Sequence, residues 1–119
     1  SLLYIFIGGG RGSALRYLLT IAIQRQTGTA FPWGTFAVNF LGCILIGVFY
    51  TLTSRIHITN ELRLLLTIGL CGGFTTFSTF SNESLQLLKS GFYPTFFAYV
   101  IGSVVLGIIG VMLGVWMSE

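Results

Sequence analysis

The sequence predicts an all-α membrane protein with four transmembrane helices per subunit, and its composition and length support this. Apolar residues make up 54% of the 119 residues, charged residues only 8%, and the mean hydropathy is +0.89. So few charges cannot give a soluble domain a hydrated surface. A helical span needs about 20 mostly apolar residues, so four spans use roughly 80 residues and leave only short loops. We therefore expect one transmembrane domain over residues 1–119.

Polar and turn-forming residues delimit the spans. We place the spans at about residues 2–23, 33–54, 62–89 and 95–117. The first could be taken for a signal peptide, but Arg11 and Arg16 interrupt it and no small-residue cleavage pattern follows. A polar run over 55–61 closes the second span. Pro32 and Pro94 stand near the starts of the second and fourth spans, where a missing backbone N–H is tolerated.

The third span is too long for one straight helix, and its centre is polar. The run over residues 72–80 reads GGFTTFSTF. Non-helical backbone at membrane depth is tolerated only where protein or a water-filled cavity surrounds it, and such breaks often mark an ion or substrate pathway. We therefore expect the third helix to be broken between Gly72 and Thr75, with Gly72 and Gly73 as the interruption and the functional site beside it.

Basic residues are balanced across the membrane. With four spans, both termini and the 55–61 loop share one side, so Arg55 and Arg63 lie there while Arg25 and Lys89 lie opposite. Because basic residues set orientation, a balanced chain can insert both ways, and two copies can pair as a closed two-fold dimer. We expect a dual-topology antiparallel homodimer. The alternative is that the two arginines inside the first span impose one orientation.

Small residues recur at helical spacing in two spans. They are Gly8 and Gly12 in the first span and Ser103, Gly107, Gly110 and Gly114 in the fourth. Small side chains let helix backbones approach closely in lipid, where the hydrophobic effect does not drive helix association. We interpret most of these glycines as packing positions.

The reactive side chains are too few for an enzyme. The chain has no Asp. Its acidic residues are Glu61, Glu83 and Glu119, and its single histidine is His57. They cannot form a triad, a catalytic carboxylate pair or a histidine-rich metal site within one subunit. The cysteines at positions 43 and 71 lie in apolar spans, which favours buried thiols over a disulfide. Scattered basic residues indicate contact with anionic lipid headgroups and no nucleic-acid binding.

Polar residues inside the spans are the candidates for function. Asn39 lies in an apolar run, where it serves either a functional site or a hydrogen bond between helices. The third and fourth spans add Thr75, Ser78 and Ser81 at intervals of three, Phe77 and Phe80 on a neighbouring face, and Tyr99 and Ser103 four apart. Phenyl rings have a partly positive edge, so ring edges beside hydroxyl and amide donors can replace the water around a small anion. Core packing is the competing interpretation of the aromatic pair.

Three segments of the chain resemble the Fluc family of fluoride channels. They are GGGRGSALRY at 8–17, GTFAVNFLG at 34–42 and GLCGGFTTFSTFSNE at 69–83, and the last is highly specific. The resemblance extends over nearly the whole chain. It implies an antiparallel dual-topology homodimer with four helices per subunit and two pores that conduct fluoride passively and selectively.

The same resemblance implies a location, a physiological role and partners. The location is the bacterial plasma (inner) membrane, which the chain would cross several times. There the channel would let fluoride that entered the cell as neutral HF leave as the anion. The expected partners are the fluoride ion, an identical subunit and the lipid bilayer.

The resemblance also assigns roles by position. Phe77 and Phe80 match the family's pore-lining phenylalanines, Asn39 its vestibule amide, and Ser78, Tyr99 and Ser103 its polar lining. The break matches the family's central sodium site, where backbone carbonyls of Gly72 and Thr75 from both subunits would enclose one structural Na⁺. Arg16 is expected to attract anions at the pore entrance, and Glu83 to be structural.

Two other functions compete with a fluoride channel. A small dual-topology multidrug antiporter also uses about four short helices. Proton-coupled export by that class resembles a mechanism built on a membrane-embedded glutamate in the first span, where this chain has arginines. A non-conducting assembly subunit would leave the polar side chains of the spans unexplained. Ion movement by the purified protein alone separates a channel from such a subunit.

Overall fold

The computed structural model describes residues 1–27 and 30–119, and the side chains of residues 26 and 27 lie outside the description. All regular secondary structure in these residues is helical. The elements are α1 (Leu2–Thr27), α2 (Trp33–Arg55), α3 (Asn60–Leu64), a π-helical segment (Leu65–Cys71), α4 (Gly72–Phe74), α5 (Phe77–Lys89) and α6 (Tyr93–Ser118). Helix α1 continues beyond the predicted end of the first span, and residues 28 and 29 of the predicted first connection lie outside the described residues.

Among the described residues, three helical stretches are long and apolar enough to cross a membrane. They are Trp33–Arg55, Asn60–Lys89 and Tyr93–Ser118. Helix α1 has 26 residues, which makes it about 39 Å long at 1.5 Å per residue. It carries three arginines and is not one of these candidate spans. The predicted second, third and fourth spans therefore coincide with candidate spans of the structure.

The break in the third span lies just after the glycine pair. Gly72 has helical angles, with φ −62° and ψ −39°, and α4 continues to Phe74. The chain becomes extended at Thr75 (φ −88°, ψ 159°) and Thr76 (φ −150°, ψ 126°) before α5 begins. The predicted break between Gly72 and Thr75 is thus close to its observed place, but the expectation that Gly72 and Gly73 form the interruption is wrong.

The glycines serve close packing between helices instead. A Cβ on Gly73 would lie 3.0 Å from the Cα of Gly9, and a Cβ on Gly12 would lie 2.8 Å from the backbone nitrogen of Phe74. Contacts this short leave little or no room for a side chain, so α1 lies against α4 backbone to backbone. Lacking Cβ atoms, these glycines permit this contact while keeping helical angles.

Helices α2 and α6 pack in the same manner. A Cβ on Gly114 would lie 2.9 Å from the backbone nitrogen of Val48, and a Cβ on Gly110 would lie 3.1 Å from the Cβ of Cys43. The predicted packing role of the fourth-span glycines is confirmed at these two positions. Nη1 of Arg55 donates to the carbonyl of Ser118 at 2.6 Å, so the carboxyl ends of α2 and α6 lie together.

Candidate functional site

A cavity of about 400 Å³ lies between α2, the broken third span and α6. Its lining residues are Asn39, Gly42, Cys43, Ile46, Thr67, Cys71, Gly72, Thr75, Thr76, Phe77, Phe80, Ser103, Val104 and Gly107. We call this space the main cavity. Its lining contains amide, hydroxyl and thiol groups but no charged side chain among the described residues. Such a wall can contact a small ion without holding it through a fixed opposite charge.

The side chain of Asn39 joins α2 to the break. Its Nδ2 donates to the carbonyl of Thr76 at 3.1 Å, and the N–H of Thr76 donates to its Oδ1 at 2.9 Å. Both backbone groups of one extended residue are therefore satisfied from a neighbouring helix. Of the two interpretations of Asn39, the hydrogen bond between helices is confirmed, and the same residue also lines the main cavity.

The break removes the normal helical donors from several carbonyls, including those of Gly72 and Thr75. In a continuous helix the N–H of Thr76 would donate to Gly72, but here it donates to Asn39. The N–H of Thr79 would likewise donate to Thr75, but it donates to Oγ1 of Thr76 at 3.3 Å, which caps α5. The carbonyls of Gly72 and Thr75 are thus available to another partner.

Three aromatic rings follow one another beside the main cavity. The centroids of Phe77 and Phe80 are 5.8 Å apart, and those of Phe80 and Tyr99 are 5.1 Å apart, within the range of favourable ring contacts. Phe77 is 79% exposed in the single subunit, whereas Tyr99 is fully buried. The Tyr99 hydroxyl donates to Oε1 of Glu83 at 3.1 Å. Phe80 is thus held between a buried ring and an exposed one.

The predicted hydroxyl groups do not all reach the cavity. Ser103 lines it, and its buried Oγ has no hydrogen-bond partner among the described residues. Ser78 and Ser81 are exposed and lie outside the lining. The prediction that Thr75 shares one helical face with them is wrong, because the extended residues separate Thr75 from α5.

The two predicted charged residues also lie outside the main cavity. Nε of Arg16 donates to the carbonyl of Gly73 at 3.1 Å, on the α1 side of the break. Glu83 lines a second cavity of about 260 Å³. The other described residues of this second cavity are Gln24, Ala30, Pro32, Gln86, Leu87, Ser90 and Phe92.

Sequence reasoning overlooked Thr76, which organises the site. This residue bonds Asn39 through its backbone and caps α5 through its hydroxyl, which also donates to Oγ1 of Thr79 at 3.2 Å. A threonine directly before the first residue of a helix is a capping pattern that could have identified it. Thr67 and the two cysteines of the lining were not predicted either, because single small residues in apolar spans carry no distinguishing pattern.

Comparisons with known proteins agree with the resemblance. The model of the family described as "CrcB-like protein, Camphor Resistance (CrcB)" matches residues 3–115. A protein of Phocaeicola vulgatus named fluoride-specific ion channel FluC is 83% identical over 119 residues, covering 100% of this chain and 98% of the relative.

More distant relatives carry the same name. One from Bacteroides fragilis is 54% identical over 99% of this chain and 95% of its own length. One from Leptospira interrogans is 49% identical over 100% of this chain and 94% of its own length. The relatives are named as channels rather than enzymes, which confirms the prediction of a non-enzymatic protein. With its apolar helices, the chain is a multi-pass membrane protein, and it belongs to the CrcB-like family.

Proposed function

We propose that this chain is a fluoride-selective channel that lets fluoride leave the cytoplasm passively across the bacterial inner membrane. One observation carries the proposal: the main cavity brings Asn39, Phe77, Phe80 and Ser103 together beside the helix break. These residues supply two aromatic rings and hydrogen-bonding groups without a fixed charge. The names of the relatives support fluoride as the ion.

The cavity wall suits a small, strongly hydrated anion. A fluoride ion that enters must exchange water for other donors, and the hydroxyl of Ser103, which has no partner among the described residues, is one such donor. The edges of Phe77 and Phe80 carry partial positive charge and add weaker stabilisation. Because no arginine or lysine of the described residues lines the cavity, the anion is not trapped there.

We further propose that the working unit is an antiparallel dual-topology homodimer with four spans per subunit and two pores. In the single subunit the Phe77 ring lines the main cavity yet is 79% exposed. A second copy over this face would cover the ring and close the cavity, and two-fold symmetry would produce two such pores. Balanced basic residues at the span ends support insertion in both orientations.

A structural Na⁺ at the break completes the proposal. The carbonyls of Gly72 and Thr75 have lost their helical donors, and backbone carbonyl oxygens are suitable ligands for an alkali cation. When bound, the ion would supply positive charge beside the break. Purification with N-methyl-D-glucamine in place of Na⁺ should lower the thermal unfolding midpoint, and adding Na⁺ should restore it. An unchanged midpoint would contradict the sodium site.

The test of the channel is ion efflux from proteoliposomes that contain only this protein. Vesicles loaded with fluoride or chloride would be diluted into external buffer with valinomycin, and each anion followed with its electrode. We expect rapid loss of fluoride and retention of chloride. Retention of fluoride by vesicles containing correctly folded dimers would refute the channel, and equal loss of both anions would refute its selectivity.

A further inference from the structure

Arg16 contacts the break outside the lining of the main cavity. Its Nε donates to the carbonyl of Gly73 at 3.1 Å, and Oγ of Ser13 donates to the same oxygen at 3.4 Å. Both bonds are partly buried and join residues 57 to 60 positions apart. An arginine within a membrane span is costly unless it is partnered, and here the partner is backbone at the end of α4.

The Gly73 carbonyl needs this partner because of the break. In a continuous helix it would accept the N–H of Phe77, but Phe77 begins α5 after two extended residues. Carbonyls at the carboxyl end of a helix carry partial negative charge, which a guanidinium group complements. Arg16 and Ser13 therefore take the place that an N–H donor of the third span would otherwise fill.

Glycine packing sets the position of Arg16. Gly12 and Gly9 hold the backbone of α1 against α4, in contact with Phe74 and Gly73 respectively. Arg16 follows Gly12 by four residues, so it lies one helical turn further along the same face. The short distance between the backbones leaves its guanidinium beside the last turn of α4.

We propose that Arg16, assisted by Ser13, is a positioning residue that keeps the third span broken after α4. By occupying the Gly73 carbonyl, the two side chains prevent that carbonyl from joining α4 to α5 through a helical hydrogen bond. The extended conformation of Thr75 and Thr76 is thereby retained, with Asn39 bound to Thr76. The role in conduction rests on the proposed channel function, whereas the role at the break does not.

The first experiment separates positioning from simple attraction of anions. Arg16→Gln, Arg16→Lys and Ser13→Ala would be assayed by fluoride efflux over a wide range of fluoride concentrations, with Arg11→Gln as the matched control. Arg11 lies on the same helix and is exposed. Positioning predicts at least tenfold slower efflux for both Arg16 variants at every concentration, a severalfold loss for Ser13→Ala, and no change for Arg11→Gln. Lysine should fail because it has a methylene, Cε, where arginine has the donating Nε, and its ammonium lies one atom further along a flexible chain.

Other outcomes would overturn the proposal. Wild-type efflux in Arg16→Lys, with a defect in Arg16→Gln that disappears at high fluoride, would assign Arg16 to attracting anions. Wild-type efflux in Arg16→Gln would remove any role in conduction.

A second measurement does not depend on ion flux. Hydrogen exchange followed by mass spectrometry on the purified protein would compare the peptide spanning residues 74–80 with peptides from α2 and α6. Ser13→Ala, the milder change, keeps the test usable if an Arg16 variant fails to fold. We expect altered exchange in the 74–80 peptide alone for Ser13→Ala and for folded Arg16→Gln. This expectation holds even if the wild-type protein conducts no fluoride, because hydrogen exchange does not depend on ion flux. Unchanged exchange in that peptide would refute positioning.

Discussion

The side-chain amide of Asn39 makes both of its hydrogen bonds to the backbone of a single residue, Thr76. These bonds, of 3.1 and 2.9 Å, hold an extended residue at membrane depth as a neighbouring strand would. Unpaired backbone groups in an apolar environment are costly, so this one side chain makes the break tolerable.

Asn39→Ala should therefore destabilise the protein. It leaves the N–H and the carbonyl of Thr76 without their partner, at a cost of about 1–3 kcal/mol for each buried group. Thermal unfolding of the purified protein, followed by circular dichroism, would measure this. Thr53→Ala is the control, because Thr53 lies on the same helix and its exposed hydroxyl bonds the carbonyl of Tyr50 within that helix. Equal midpoints for the two variants would contradict the importance of the Asn39 bonds.

Phe80→Ile should impair fluoride efflux while leaving the dimer intact. The substitution keeps an apolar side chain but removes the ring that packs on Phe77 and Tyr99. We expect a loss of about fivefold, since one aromatic edge contributes of the order of 1 kcal/mol and about 1.4 kcal/mol corresponds to tenfold. Phe97→Ile is the matched control, as Phe97 is 56% exposed and absent from the cavity lining. Wild-type efflux in Phe80→Ile would remove Phe80 from the pore.

Ser103→Ala should separate function from stability. Its Oγ has no partner within the described residues, so its removal should leave the unfolding midpoint unchanged or slightly raised. Efflux should fall by about tenfold or more, because a hydrogen bond to a charged group contributes about 1.5–3 kcal/mol.

Ser84→Ala provides the opposite case for comparison. Oγ of Ser84 donates to the carbonyl of Phe80 at 2.8 Å and is buried away from the main cavity. This variant should lose about 0.5–1.5 kcal/mol of stability and retain efflux. If Ser103→Ala and Ser84→Ala behave alike in both assays, Ser103 has no special role in conduction.

Gly12→Ala should destabilise the packing of α1, whereas Gly10→Ala should not. A Cβ on Gly12 would lie 2.8 Å from the backbone nitrogen of Phe74, but a Cβ on Gly10 meets nothing within 4 Å. Overpacking costs about 1–3 kcal/mol, while alanine at an open helical position gains up to about 1 kcal/mol. Unfolding midpoints of the two variants would test this, and a lower midpoint for Gly10→Ala would contradict the packing described here.

Much of the architecture follows from local sequence patterns. Long apolar runs predict the second, third and fourth spans, and the excess length and hydroxyl residues of the third locate a break within a few residues of Thr75. The exact place was missed because glycine in a membrane helix has two uses, as a breaker and as a packing surface. Only the contact of Gly73 with Gly9 shows which use applies here.

Local sequence patterns establish the membrane class, the second, third and fourth spans, the broken third span, the family and the set of polar side chains near the break. These are properties of composition and of residues close together in the chain. The tertiary structure alone decided that Asn39 bonds Thr76, that Arg16 bonds Gly73, and that Ser103 reaches the main cavity while Ser78 does not. The physical reason is that these partners lie on different helices, and their hydrogen bonds form only when packing brings the helices together.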